Sequence, residues 1–122
     1  MRFQRKTAFV TGGATGLGRA FARALAGDGA CVAIADIDRA AADRTVAELT
    51  AEGAQAIAVT CDVADEQQVD TAVGTAIEQL GGIDILINNA GRHLTKYNQP
   101  FHVLSRDDLR GLFEVNVIGV VN

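Results

Sequence analysis

A chain of 122 residues with 48% hydrophobic side chains can bury one core and is too short for two ordinary domains. Its formal net charge of -4 argues against the clustered positive surface that grips nucleic acid or anionic lipid, so neither is expected as a partner. No apolar stretch approaches the roughly 20 residues that span a bilayer, which sets the expectation of a soluble, cytoplasmic protein with no membrane contact.

Along the chain, apolar runs at 7–10, 31–35, 56–60 and 83–87 alternate with longer segments of helical period, a β-α-β-α-β-α-β rhythm. Arg2, Arg5 and Lys6 precede the first run, but it ends at Gly12-Gly13, far short of a signal-peptide core. The runs are continuous, as expected of parallel strands covered on both faces, and right-handed crossovers then place helices on both sides of the sheet. The first helix is predicted over 16–28, with Leu17, Phe21, Ala24 and Leu25 sharing one face and Gly27 and Gly29 supplying the stop. Asp38 can cap the second, which turns Ala42, Val46 and Leu49 inward and ends at Gly53. Asp65 with Gln68 resembles a capping box for the third, whose Val69, Ala72, Val73, Ala76, Ile77 and Leu80 keep helical spacing up to Gly81-Gly82. Ser105 with Asp108 can cap a fourth, with Leu109, Leu112, Phe113, Asn116, Val117 and Val120 on one face. Between the third and fourth helices, 92–104 is the one irregular stretch of length.

Cys31 and Cys61 stand thirty residues apart, with no second Cys or His at ligand spacing, so a metal site is not expected and both read as reduced thiols. His93 and His102 have no partner at a recognisable spacing and receive no role.

The chemistry is concentrated after the first strand, in Thr11-Gly12-Gly13-Ala14-Thr15-Gly16-Leu17-Gly18. Gly12, Gly16 and Gly18 let the backbone turn tightly, let a pyrophosphate approach the main chain and let helix pack against strand. The helix N-terminus meanwhile presents free amides to the anion. The spacing is GxxxGxG, and without the lysine of GxxxxGK[ST] an ATP-hydrolysing loop is a poor reading. Asp36, at the end of the second strand, can accept hydrogen bonds from an adenosine ribose 2′-hydroxyl and would repel a 2′-phosphate. No basic residue precedes Gly16 in the turn, and the residue after Asp36 is Ile37, so NAD is favoured over NADP as cofactor.

At the end of the fourth strand comes Asn88-Asn89-Ala90-Gly91. With the glycine turn, this segment makes the chain resemble the short-chain dehydrogenase/reductase family over almost its whole length. The resemblance implies a three-layer Rossmann-like doubly wound parallel α/β sheet, with residues 1–122 forming the NAD-binding, amino-terminal half-domain. It implies pyrophosphate contact by the turn that includes Gly12, Thr15, Gly16, Leu17 and Gly18. Asp36 and Ile37 fall on the ribose side, and Asn89, Ala90 and Gly91 would line the adenosine and ribose while steadying the sheet. Asp62 and Val63 resemble the family's Asp-Val pair, the carboxylate meeting the adenine amino group and its neighbour packing on the ring. Asn116, in Asn116-Val117-Ile118-Gly119, resembles the catalytic Asn that holds a water in the proton relay; read from its residues alone it is an amide buried on an apolar helix face.

The family's other catalytic residues, a Ser and a Tyr-xxx-Lys pair, belong by resemblance after the fourth helix, and Tyr97 does not fit that pair because position 101 is Phe. The expectation is therefore an NAD-dependent oxidoreductase acting on a small alcohol or carbonyl, with this chain as its cofactor half and inactive alone. A parent of about twice the length would be a homo-oligomer. On the same expectation the fourth strand presents an apolar edge that another strand ought to cover. Two rival readings remain open: a non-catalytic NAD-sensing module, which lacks a downstream Tyr-xxx-Lys, and a methyltransferase, against which residues 88–91 argue.

Overall fold

A computed structural model of the chain describes residues 1–91 and 105–122; the stretch 92–104, which includes His93, Tyr97 and His102, lies outside the described residues. The element order is β1 (Thr7–Thr11), α1 (Gly16–Gly27), β2 (Cys31–Asp36), α2 (Arg39–Ala51), β3 (Ala56–Thr60), α3 (Glu66–Leu80), β4 (Ile85–Asn88) and α4 (Arg106–Phe113). A π-helical turn, Glu114–Ile118, and a last helical turn, α5 (Gly119–Val121), continue α4. The strands form one parallel sheet in the order β3-β2-β1-β4, a Rossmann-like α/β arrangement. From β1 the chain steps outward to β2 and β3, then crosses back to lay β4 on the other side of β1. The winding direction reverses there, and in open parallel sheets the crevice outside the strand ends at such a reversal is where ligands bind.

The interior residues of β1 and β2, Ala8 to Val10 and Val32 to Ala35, are apolar because both faces of these strands are covered. Val10, Val32, Ile34 and Leu49 form the core under α1 and α2, and Phe9, Ala33, Ala35, Val59, Ala72 and Ala76 form the core under α3. Thr11 pairs with Ala35 on one side and Asn88 on the other. The glycine turn, Asp36 and Asn89 therefore leave the sheet at one level, which is what gathers them into a site. β4 occupies the sheet edge among the described residues, with Ile85 and Ile87 half-buried and Leu86 57% exposed.

The helices depart from the sequence expectation in three places. In α1 the inner face is Gly18 and Ala22, flanked by the half-buried Leu25 and Ala26, whereas Leu17, Phe21 and Ala24 face outward. The reason is distance: a Cβ on Gly18 would lie 2.2 Å from the Gly12 carbonyl oxygen, so the helix approaches the turn too closely for any large side chain on that face. In α3, Val69, Ala72, Val73, Ala76 and Leu80 turn inward but Ile77 is exposed.

The third departure is in the last helix, where Val115 and Gly119 face the protein while Phe113, Asn116, Val117 and Val120 are exposed. Val115 packs on the core under α3, and Gly119 lies so close to the Val63 side chain that a Cβ would meet it at 2.6 Å, so the small residue and not the apolar ones takes the inner position. The expected burial of Asn116 on an apolar face is corrected accordingly.

The caps behave as the sequence suggests. Asp38 accepts the Ala41 amide at 3.0 Å, Asp65 accepts those of Gln67 and Gln68, and Ser105 accepts that of Asp108. The third helix adds a variation on the capping box: the Gln68 side chain donates to Asp65 and accepts the backbone N–H of Asp62, three residues before the cap. Asp62 is thereby tied to the start of α3.

Candidate cofactor cleft

At the carboxyl ends of the strands lies a cleft of about 590 Å³, within the range usual for small-molecule sites. Gly12, Thr15, Asp36, Ile37, Asp62, Val63, Asn89, Ala90 and Gly91, all singled out in the sequence, line it. Cys61 and Val115 line it as well, and neither carried a sequence signal that would have marked it. Gly16, Leu17, Gly18 and Asn116 are not among the lining residues.

The glycine turn is held from three sides. Gly12 has φ +64 and donates its N–H to the Ala35 carbonyl at 2.8 Å; a Cβ there would sit 2.9 Å from the Ala90 Cα, so both conformation and space require glycine. The Asn89 side-chain amide donates to the Gly12 carbonyl at 3.1 Å. Thr11 Oγ1 accepts the Asn89 and Ala90 amides at 3.1 and 3.0 Å, stapling the start of the turn to the end of β4. Gly18 is buried beneath the turn and acts through packing. Gly16, at φ +56, has open space where a Cβ would be.

The N-terminus of α1 is electrostatically uncompensated. Thr15 stands at the cap in extended conformation and makes no side-chain capping bond, and the first turn holds no acidic residue. A helix end of this kind carries a partial positive charge and amides aimed outward, the arrangement that binds phosphate oxygens.

Asp36 is half-buried, and each carboxylate oxygen accepts one backbone amide: Oδ2 that of Ala14 at 3.1 Å, Oδ1 that of Asp38 at 2.9 Å. A carboxylate oxygen has two acceptor sites, so each retains one for a ligand. Ile37 beside it is 70% exposed, an apolar surface at the cleft rim. Across the cleft, Asp62 Oδ1 accepts the Ala64 amide at 3.0 Å. Val63 is 8% exposed; its carbonyl accepts the Asn122 side-chain amide at 2.9 Å, and a Cβ on Gly119 would come within 2.6 Å of it. Val63 thus carries the end of the α4 segment as well as a wall of the cleft. Asn116 comes near Gly91: a Cβ on Gly91 would lie 3.6 Å from Asn116 Oδ1. The Cys61 thiol is pushed above its ordinary value by burial, with the Asp62 and Asp65 carboxylates adding to the shift, so it stays protonated and is a poor nucleophile. Among the described residues no three His, Cys, Asp or Glu side chains group as a metal site, and no helix is long and apolar enough to cross a membrane.

A glycine turn, an uncompensated helix start and a strand-end carboxylate are thus joined at the winding reversal. The sequence profile of the short chain dehydrogenases matches residues 6–122. The chain belongs to the short-chain dehydrogenase family. Among its relatives in that family it is 45% identical over 116 residues to the 1-deoxy-11-beta-hydroxypentalenate dehydrogenase of Streptomyces exfoliatus, covering 95% of this chain and 42% of that protein. It is 42% identical over 121 residues to the sorbitol dehydrogenase of Cereibacter sphaeroides, covering 99% of this chain and 45% of that one. The solved structure of a protein assigned to the short-chain dehydrogenases, from Novosphingobium aromaticivorans, superposes with a TM-score of 0.90 at 41% identity, covering 98% of this chain and 43% of the other. The chain therefore spans a little under half the length of these family members.

Proposed function

We propose that the chain is the cofactor-binding part of an NAD-dependent oxidoreductase that interconverts a small alcohol and its carbonyl. The observation that carries the reading is the cleft itself, where a positive helix end faces the glycine turn and a half-buried carboxylate with spare acceptor capacity stands beside it. In this reading the amides at Thr15 to Gly18 hold the pyrophosphate, Gly16 leaves the opening for it, and Leu17 borders its outer side. Asp36 accepts the ribose hydroxyls and disfavours a 2′-phosphate, while Ile37 and Val63 flank the adenine ring and Asp62 meets its amino group. Asn89, Ala90 and Gly91 form the floor. Bound NAD supplies the hydride acceptor. Asn116 is the residue assigned here to the proton relay. The relatives named as dehydrogenases of sorbitol and of a hydroxypentalenate support an alcohol as substrate class. A cytoplasmic, homo-oligomeric longer form rests on the family resemblance alone.

Calorimetric titration with NAD and NADP tests the proposal. NAD should bind more tightly, and saturating it at about 100 times its Kd should add roughly 2.7 kcal/mol of stability. Asp36→Ala should narrow the preference for NAD over NADP. Equal affinities in the wild type, or an unchanged ratio in the variant, would remove Asp36 from the selectivity argument.

A further inference from the structure

Thr45 lies in the middle of α2, 2% exposed, on the buried face of a helix that does not line the cleft. Its hydroxyl donates to the Ala14 carbonyl at 2.7 Å, a buried bond across 31 residues of sequence. The N–H of the same residue, Ala14, is donated to Asp36 Oδ2 at 3.1 Å. Ala14 is thus gripped at both of its polar atoms, by the carboxylate at the end of β2 and by a hydroxyl of the following helix. It immediately precedes Thr15, the cap of α1.

We infer that Thr45 is a positioning residue for dinucleotide binding: it fixes the glycine turn in the conformation that aims the first α1 amides at a diphosphate. The inference rests on the reading of the cleft as an NAD site. The turn contains glycines at φ +64 and +56, a backbone with many alternatives in the absence of restraint. Asn89 restrains its first half, through Gly12. The second half, before the helix begins, is restrained by the two bonds to Ala14, and the Thr45 bond is the shorter and the one shielded from solvent. A buried carbonyl deprived of its donor is costly, so without the hydroxyl the turn would relax toward water or another donor and carry Thr15 with it. Pre-arranged donors bind an anion more tightly than donors that must be ordered on binding. The adenosine end depends less on this clamp, since Asp36 keeps its second anchor on the Asp38 amide and Asp62 is held independently by Gln68.

The test compares Thr45→Val, which keeps shape and β-branching and removes only the hydroxyl, with Thr45→Ser, which keeps the hydroxyl. Calorimetry with NAD, ADP and adenosine is run on the wild type and both variants. For Thr45→Val, NAD and ADP should weaken about tenfold, which is about 1.4 kcal/mol, while adenosine weakens less than twofold. Thr45→Ser should restore NAD and ADP to within about threefold of wild type. Amide hydrogen exchange of the ligand-free protein should show Thr15 to Gly18 exchanging faster in Thr45→Val and near the wild-type rate in Thr45→Ser. Unchanged NAD affinity in Thr45→Val, or an equal loss for ADP and adenosine, overturns the inference and leaves the NAD reading standing. A wild type that binds neither NAD nor ADP overturns both. If Thr45→Val fails to fold, Thr45→Ser against Thr45→Ala makes the same comparison at matched volume: equal affinities sink the inference, and a tenfold gap for ADP supports it.

Discussion

The two sides of β1 are finished to different degrees. Toward β2, the turn's polar atoms find partners within about forty residues of sequence: Ala35 and Asp36 from the next strand accept the Gly12 and Ala14 amides, and Thr45 from the next helix donates to the Ala14 carbonyl. Toward β4, the segment from α4 to α5 meets the described residues through Val115, the Gly119 contact with Val63 and the Asn122 bond to the Val63 carbonyl, among others. There Leu86, Phe113, Val120 and Val121 are each half exposed or more. The second half of the glycine turn is thus held by nearby chain, while its first half also needs Asn89 from the end of β4. On the β4 side the contacts named above join residues far apart in the chain, and local stability is expected to follow contact density.

The largest expected effect probes the finished side. Gly18→Ala forces a Cβ to 2.2 Å from the Gly12 oxygen, backbone against backbone with nothing able to swing away, and should cost about 3 kcal/mol in urea unfolding. In the same helix Gly27→Ala meets no atom within 4 Å and should instead stabilise by about 0.5–1 kcal/mol. Similar outcomes for the two would show that α1 is not packed as described. On the other side Gly119→Ala meets the Val63 side chain at 2.6 Å, a methyl that can turn aside where the Gly12 carbonyl cannot, so a loss of about 1–2 kcal/mol is expected. A loss matching that of Gly18→Ala would erase the difference between the two sides.

The pH dependence of stability gives a third comparison, at Cys61 between the two sides. Its thiol is raised above the ordinary 9.0, mainly by burial, so the unfolded chain ionises first as pH rises. The stability due to the buried neutral thiol is therefore complete below pH 9 and declines as pH climbs from 9.0 toward the raised value. Melting temperatures of wild type and Cys61→Ala should converge over that window; curves that stay parallel would mean the thiol is not shielded. The smallest effect is expected at Phe113, 59% exposed, where Phe113→Lys should change stability by no more than about 0.5 kcal/mol. A loss of several times that, with a concentration-dependent melting temperature, would mean that this face is covered in solution.

Much of the molecule was legible in the sequence because its signals are local. Continuous apolar runs marked the four strands to within two residues at each end. Asp38, Asp65 and Ser105 announced the helix starts because a cap needs only its own next turn. The glycine turn and Asp36 were readable for a similar reason: φ above zero and a strand-end carboxylate leave a mark on residue type.

Three features could not be read that way. The inward face of α1 is set by how near β1 and the turn lie, so Gly18 and Ala22 displace the Leu17 and Phe21 that apolarity alone selects. The phase of the last helix is set by the close contact of Gly119 with Val63 and of Val115 with the core, which leaves Asn116 outward although its spacing matches the apolar positions on paper. The partnership of Thr45 and Asp36 on one peptide joins residues that no spacing rule relates, since it depends on α2 lying across the turn. Sequence alone determined which segments form strands and helices and which residue types the cleft contains, because those follow from local sterics and burial. Only the tertiary structure decided which faces touch and which polar atoms share a partner, because those depend on distances between elements far apart in the chain.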